Sequence, residues 1–294
     1  VVRRAVVTAG TAGIGLETAV GLAAAGFQVT VVGRDAGRGA RAVERIDGAA
    51  PAHRARFLAA DLASLGAVRA LAGRIAAEGP PAVLVNNVGA MFPDRLDSVD
   101  GIEASFAVNH LSPYLLTELL LPMLVDGAPS RVVNVTSGSI RTAKRVFDAV
   151  EPPGGYYGFH WYGRAKLANL AYTLDLARRL DGTGVSVFAA DPGGAATDMT
   201  DGTMRDPRIV SPGLRLLWPL VRRVFDRATS GPASVAAKPS VFAATDASLE
   251  GRTGVVVGPA ARPVPPFGPA TDPRVAAAVL RLSRELAPVD EPAR

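Results

Sequence analysis

Seven short apolar runs alternate with longer stretches of helical character along most of this chain, and that alternation constrains its fold more than any other feature. The runs are Arg4 to Thr8, Phe27 to Val32, Ala55 to Ala59, Ala82 to Val85, Arg131 to Val135, Val185 to Ala189 and Gly254 to Val257. Strands of this composition are buried on both faces, which is the pattern of a parallel sheet covered by helices on either side. A chain of 294 residues is long enough for one large domain or two small ones, and alternation running nearly end to end favours one doubly wound α/β unit across residues 1–294. Sheets of this kind bind ligands beyond the carboxyl ends of their strands.

Composition narrows the function. The chain has no cysteine, which excludes disulfides and thiolate metal sites, and its three scattered histidines argue against a metal centre. The net charge of +5 comes from arginines spread along the sequence without a basic block, so they read as a solvated surface rather than a nucleic-acid interface. No apolar run approaches the roughly 18 residues needed to span a bilayer, and the sequence given starts almost directly with its first strand. A soluble, cytoplasmic protein is the expectation. The abundance of Ala, Gly, Arg and Pro points to a GC-rich bacterial genome.

Two stretches carry chemistry. After the first strand, Thr8 to Gly15 reads TAGTAGIG and leads into a helix. Glycines at 10, 13 and 15 let the backbone turn tightly and approach a phosphate, while a helix N-terminus offers free N–H groups and a partial positive charge. The plain alternative is a tight βα turn. Far downstream, Tyr162 and Lys166 stand four residues apart, which on a helix places a phenol and an ammonium on one face. A neighbouring cation favours the phenolate and draws a tyrosine from about pH 10 toward the working range, where it can act as a general acid. The plain alternative there is an exposed structural pair.

Taken with Asp61 and Leu62 after the third strand, Asn86 to Gly89 after the fourth, Asn109, Ser137 after the fifth and Pro192 with Gly193 after the sixth, these stretches resemble the short-chain dehydrogenase/reductase family. That family writes its nucleotide turn TGxxxGxG, and the likeness runs over roughly residues 3 to 260. Val108 to Leu111 and Lys166 to Asn169 look like its retinol-dehydrogenase-like branch, many members of which carry a membrane anchor. The resemblance implies a Rossmann-type sheet, an NAD(P) cofactor and a catalytic set of Asn109, Ser137, Tyr162 and Lys166. In that set Tyr162 passes a proton to a carbonyl oxygen, Ser137 steadies the oxygen, Lys166 lowers the phenol pKa and holds the nicotinamide ribose, and Asn109 kinks its helix and holds a water.

For the cofactor the resemblance implies Gly10, Thr11, Gly13, Ile14 and Gly15 at the pyrophosphate, Asp61 and Leu62 beside the adenine, and Asn87 and Gly89 along the adenosine ribose. Pro192, Gly193, Ala195 and Thr197 fall near the nicotinamide. The acid that NAD-preferring relatives carry is replaced by Gly33, and Arg34 follows it with a planar fork suited to a phosphate, so NADP is preferred over NAD although Asp35 opposes it. Ala9 takes the place of the first glycine of the pattern and would strain a turn that needs positive φ.

Two irregular regions, Ile140 to Phe159 and Gly194 to Pro232, are expected to edge the site. The second holds Leu214, Leu216, Leu217, Trp218, Leu220, Val221, Val224 and Phe225, and reads as an apolar lid over the substrate, with core packing and a membrane-surface helix as the alternatives. Tyr156 and Tyr157 are expected in the pocket wall. Beyond Pro-rich residues 259 to 273, Val275, Val279, Leu282 and Leu286 form a helical stripe in an extension of about 259–294. The resemblance implies that the helices bearing Asn109 and Tyr162 pair across subunits, and with the apolar stretch Leu115 to Leu124 a homodimer or homotetramer is expected. The function expected is NADPH-dependent reduction of a carbonyl, or the reverse oxidation, on a fairly large apolar substrate, with bacterial secondary metabolism as a setting. A non-redox cyclase, lyase or isomerase on the same scaffold, and an NADP-sensing interaction protein, are the competing readings.

Overall fold

The computed structural model describes residues 2–52, 54–151, 154–195 and 202–289. Its centre is one eight-stranded sheet built from β1 (Arg4–Val7), β2 (Gln28–Gly33), β3 (Arg56–Ala59), β4 (Val83–Asn86), β5 (Ser130–Val135), β6 (Val185–Ala190), β7 (Val255–Gly258) and β8 (Arg262–Val264). The order across the sheet is β3-β2-β1-β4-β5-β6-β7-β8. Strands β1 to β7 are mutually parallel, and β8 pairs antiparallel with β7. The chain winds outward from β1 through β2 to β3, then returns to place β4 on the other side of β1. That reversal opens a crevice at the carboxyl ends of β1 and β4.

All seven runs expected from sequence are strands, with ends displaced by no more than one residue. β8 was not expected, because its Pro263 lies in a Pro-rich segment. Proline is tolerated there because β8 is the last strand of the sheet, where one row of amides needs no partner.

Side-chain alternation divides the interior into two layers. Val6, Leu84, Val132 and Val187 face one core, whereas Ala5, Val7, Val85 and Val133 face the other. The second core is covered by α1 (Gly13–Ala24), α2 (Ala36–Ala49) and a helix at Lys238–Thr245. The first is covered by α3 (Leu65–Ala77), by a composite helix α4 made of Ala104–Phe106, a π-helical turn Ala107–Leu111 and Ser112–Asp126, and by α5 (Gly158–Arg179). Side-chain caps fix several helix starts: Asp35 accepts from Arg38 N at 2.7 Å, and Ser64 from Ala67 N at 3.3 Å.

Buried carboxamides tie the sheet to the helices above it. Asn86 Nδ2 donates to Asn134 Oδ1 and Thr117 Oγ1, each at 2.8 Å, and Asn134 Nδ2 donates to Thr173 Oγ1 at 2.9 Å. This chain of bonds joins β4 to β5, and both to α4 and α5, next to the strand ends that bear the candidate site.

The C-terminal helix Pro273–Leu286 docks through the expected stripe, with Val279 and Leu282 buried against the first core and Val275 and Leu286 packed at its edge. His110 is buried beneath it and its Nε2 lies 2.7 Å from Ser283 Oγ, a packing role in line with expectation. Among the described residues no helix is long and apolar enough to cross a membrane.

Of the Leu115 to Leu124 stretch, Leu115, Leu116, Leu120 and Leu124 are buried in the first core, while Leu119 and Leu121 are partly buried and pack at its edge. Leu120→Ala is accordingly expected to lower the unfolding free energy by about 2–5 kcal/mol in a urea titration. A loss below about 0.5 kcal/mol would mean that this side chain is not a core residue.

Candidate active site

A cleft of about 480 Å³ opens at the carboxyl ends of the central strands, between the turn after β1 and the N-terminal half of α5. Gly13, Ile14, Gly15, Asn87 and Gly89 line it from the β1 and β4 side. Ser137, Tyr162, Lys166, Pro192, Gly193 and Ala195 line it from the β5, α5 and β6 side. The structure thus brings eleven of the expected site residues to one space.

The glycine turn is shaped by close approach. A Cβ on Gly15 would lie 2.2 Å from Ala9 O, and one on Gly10 would lie 2.8 Å from Val7 O and from Val31 Cγ1. Gly13 has φ +52°, and Ala9 has φ +49°, so the alanine that replaces the usual glycine does sit in the left-handed region, at a cost of about 1 kcal/mol. Thr8 locks this turn to β4, since its Oγ1 accepts from Asn87 N at 3.0 Å. Asn87 Nδ2 in turn donates to Ala9 O at 3.4 Å. The free N-terminal amides of α1 therefore face a cradle that side chains leave open, which suits a pyrophosphate.

Several expected residues lie outside this cleft. Gly10 packs on β2, and Thr11 packs over Gly33, where an added Cβ would meet Thr11 Cγ2 at 2.8 Å. Leu62 is buried in the first core, and exposed Asp61 accepts from Ala63 N at 3.0 Å in a turn. Arg34 is exposed just after β2. Asp35 is committed to its capping bond, which holds its carboxyl below the ordinary range. Arg38 and Arg41 stand close enough to Asp35 to add to that effect, so this strand end is more basic than Arg34 alone indicated. Thr197 lies outside the described residues. Tyr156 and Tyr157 do not form the pocket wall: Tyr156 donates to Phe92 O at 3.1 Å and packs on Trp161, and Phe159 lines the cleft instead.

The polar core of the site is compact. Lys166 is 1% exposed, and its Nζ donates to Val88 O at 2.8 Å and Val135 O at 3.0 Å, the carbonyl ends of β4 and β5. Asn109 lies in the π-helical turn, so the expected local distortion of the helix is present. Its Nδ2 donates to Ala90 O and Ser105 O, both at 2.8 Å, and its Oδ1 accepts from Ala90 N at 2.9 Å. A methyl placed on Gly89 would lie 3.7 Å from Tyr162 Oη, 3.8 Å from Lys166 Nζ and 3.9 Å from Asn109 Oδ1. One point, which only a glycine leaves empty, is surrounded by all three groups.

Ser137 belongs to the same cluster. Ser139 donates to Ser137 Oγ from its N–H at 3.3 Å and from its hydroxyl at 3.0 Å, leaving the Ser137 proton for the Tyr162 oxygen. The charge effect expected from Lys166 on Tyr162 is absent from the protein alone. Burial pushes the phenol up to about 12, with the Ser137 hydrogen bond pulling the other way. Burial also pulls the Lys166 ammonium down to about 7, and no carboxylate among the described residues offsets it.

One residue of the site region was not singled out from sequence. Arg164, buried on α5 between Tyr162 and Lys166, donates from Nε to Val146 O at 2.9 Å, from Nη1 to Val150 O at 2.6 Å and from Nη2 to Ala149 O at 2.7 Å. Its guanidinium lies 4.6 Å from the Phe147 ring centroid and near the buried Glu103. The longer connection between Ser137 and Tyr162 thus has a definite shape, imposed from the helix. Its only signal in the sequence is an arginine on an otherwise apolar helix face.

Over residues 3–208 the sequence matches the short chain dehydrogenase family. The chain is a short-chain dehydrogenase/reductase, by family an oxidoreductase of the CH–OH/C=O class. Within the family it falls in the retinol-dehydrogenase-like branch. It is 36% identical over 227 residues to retinol dehydrogenase 12 of Mus musculus, an alignment covering 77% of this chain and 69% of that protein. The bovine and human retinol dehydrogenase 12 proteins are spanned over 60% of their lengths. Among solved structures, an uncharacterized protein from Mycobacterium paratuberculosis superposes with TM-score 0.74 at 27% identity, covering 97% of this chain and 93% of that one. A 3-oxoacyl (acyl-carrier-protein) reductase from Agrobacterium tumefaciens with NADP bound gives TM-score 0.68 at 25% identity, over 87% and 92% of the two chains.

The Lys166 geometry yields a pH dependence. The unfolded chain keeps this proton up to the ordinary lysine value of 10.5, whereas the folded chain loses it above about 7. Between those values the unfolded state binds more protons, so this group makes stability rise with pH. The stability of the wild type minus that of Lys166→Met, from urea unfolding at intervals across that window, is expected to climb. A flat difference would refute the burial of a charge at this position.

Proposed function

We propose that this short-chain dehydrogenase is an NADPH-dependent carbonyl reductase, or the reverse alcohol dehydrogenase, acting on a fairly large apolar substrate. The observation that carries this reading is the meeting of Tyr162 Oη, Lys166 Nζ and Asn109 Oδ1 around Gly89, at one end of a cleft whose other end is the open glycine turn. When bound, the nicotinamide nucleotide supplies the hydride.

The chain's own residues handle the proton. A phenol held near 12 remains protonated at neutral pH, so Tyr162 keeps a proton to donate to the substrate oxygen as that oxygen becomes an alkoxide. Ser137 is the second donor to the same oxygen and steadies its developing charge. Lys166, with two of its three donors on backbone carbonyls, keeps one donor that would hold the nicotinamide ribose. Asn109 fixes the Ala90 backbone and supports the proton route behind the lysine. In the oxidative direction Tyr162 must first lose its own proton, after which its phenolate takes the proton from the alcohol.

Met91, Phe159 and Met204 give the cleft an apolar wall, and Trp218, Val221 and Phe225 pack behind it, which supports an apolar substrate beneath a lid formed by about residues 194–232. The retinol named for the mouse relative is of that chemical kind. Preference for NADP is supported by the basic end of β2, where Arg34, Arg38 and Arg41 gather and the one acid is held in a helix cap, and by the NADP of the Agrobacterium structure.

NADPH oxidation with a panel of apolar ketones tests the reading. Tyr162→Phe is expected to lower turnover by roughly 10²- to 10⁴-fold while NADPH binding, followed by fluorescence, is retained. Unchanged turnover would remove Tyr162 from the mechanism. Arg34→Ala is expected to weaken NADPH binding by about 10- to 100-fold and leave NADH nearly unaffected, because only the former loses a charge-assisted bond. Equal effects on both nucleotides would sink the NADP assignment.

A further inference from the structure

The helix Trp218–Ala228 carries a wider apolar face than the protein covers. Trp218, Val221 and Phe225 turn inward and pack with Met91, Tyr162 and Met204, and the Phe225 ring stands 5.0 Å from that of Phe159. Beside this stripe runs a second one that none of the described residues covers. Leu216 is 86% exposed, Leu217 53%, Leu220 60% and Val224 65%. At about 100° per residue the two stripes join into one apolar arc of roughly 160°, of which only half is buried. Arg223 and Arg227 border the exposed half, and both are exposed and outside any ion pair among the described residues, whereas Arg222 on the opposite edge pairs with Asp226.

We propose that this face docks in the plane of an anionic lipid surface, the leucines and Val224 entering the headgroup boundary and Arg223 and Arg227 meeting lipid phosphates. Apolar residues flanked by arginines whose stems lie along the boundary are what such a surface accommodates. A second copy of the chain is the poorer partner, because a two-fold pairing of this face brings its unpaired arginines against one another. The docked helix would stand between the bilayer and the cleft, its inner stripe touching the residues that line the cleft, so an apolar substrate could pass from one to the other. That last consequence rests on the function proposed above, whereas the docking rests on the helix alone.

Cosedimentation of the whole protein with lipid vesicles tests it. Vesicles of phosphatidylcholine with roughly a third phosphatidylglycerol are expected to bind the protein at least about tenfold more tightly than pure phosphatidylcholine. Leu216→Glu with Leu220→Glu, and separately Arg223→Glu with Arg227→Glu, are each expected to reduce binding about tenfold with the melting temperature unchanged, since all four side chains are exposed. Absence of binding to the anionic vesicles, or binding that neither pair of substitutions alters, would overturn the proposal. So would a wild-type dimer in light scattering that the leucine pair converts to monomer, which assigns the face to a second copy. Reduction of apolar ketones by the wild type is measured separately, without vesicles. If no ketone is reduced at all, the catalytic reading fails while the vesicle result still decides the docking.

Discussion

The Lys166 ammonium is held between the carbonyl ends of two adjacent strands, and the geometry of the site follows from that one arrangement. Burying a cation is costly unless its protons find acceptors. Here the acceptors are main-chain oxygens at Val88 and Val135, whose positions are set by the register of β4 against β5. The lysine cannot keep both bonds unless α5 lies across the sheet at one angle, which also fixes where Tyr162, one turn earlier, presents its hydroxyl. The carboxamide chain through Asn86 and Asn134 reinforces the same seating from below.

Charge balance in this cluster differs from what spacing alone suggests. A tyrosine and a lysine four positions apart share one helix face, but the resulting electrostatics depend on solvent access. With both side chains buried, desolvation governs, raising the phenol and lowering the ammonium together. The free protein is therefore poised with the proton on tyrosine and a lysine that titrates near neutrality. Anything that brings negative charge or hydrogen-bond acceptors into the cleft shifts both groups.

How much was legible in the sequence depended on whether a feature is local. The seven parallel strands were, because β-branched runs bounded by turns reflect backbone preference directly, and so were the glycine turn and the left-handed Ala9. Strand β8 was hidden by Pro263, which argues against a strand anywhere except an edge. Nothing local in the Leu115 to Leu124 stretch distinguishes a helix buried by its own sheet from one buried by a partner, and four of its leucines belong to the first core. Tyr156 and Tyr157 were placed in the pocket by proximity to Tyr162, although the helix begins at Gly158 and their rings leave before it. Arg164 was passed over because its acceptors are backbone oxygens of a loop, which no side-chain motif encodes.

That guanidinium has a consequence for how such an enzyme can diversify. Val146, Ala149 and Val150 are gripped through their carbonyls, so the grip does not read their side chains. The loop's course is dictated by a neighbour on a rigid helix, and the identities of those three residues are left free to drift. New surface chemistry can accumulate beside the catalytic helix without disturbing the alignment of the groups that move the proton.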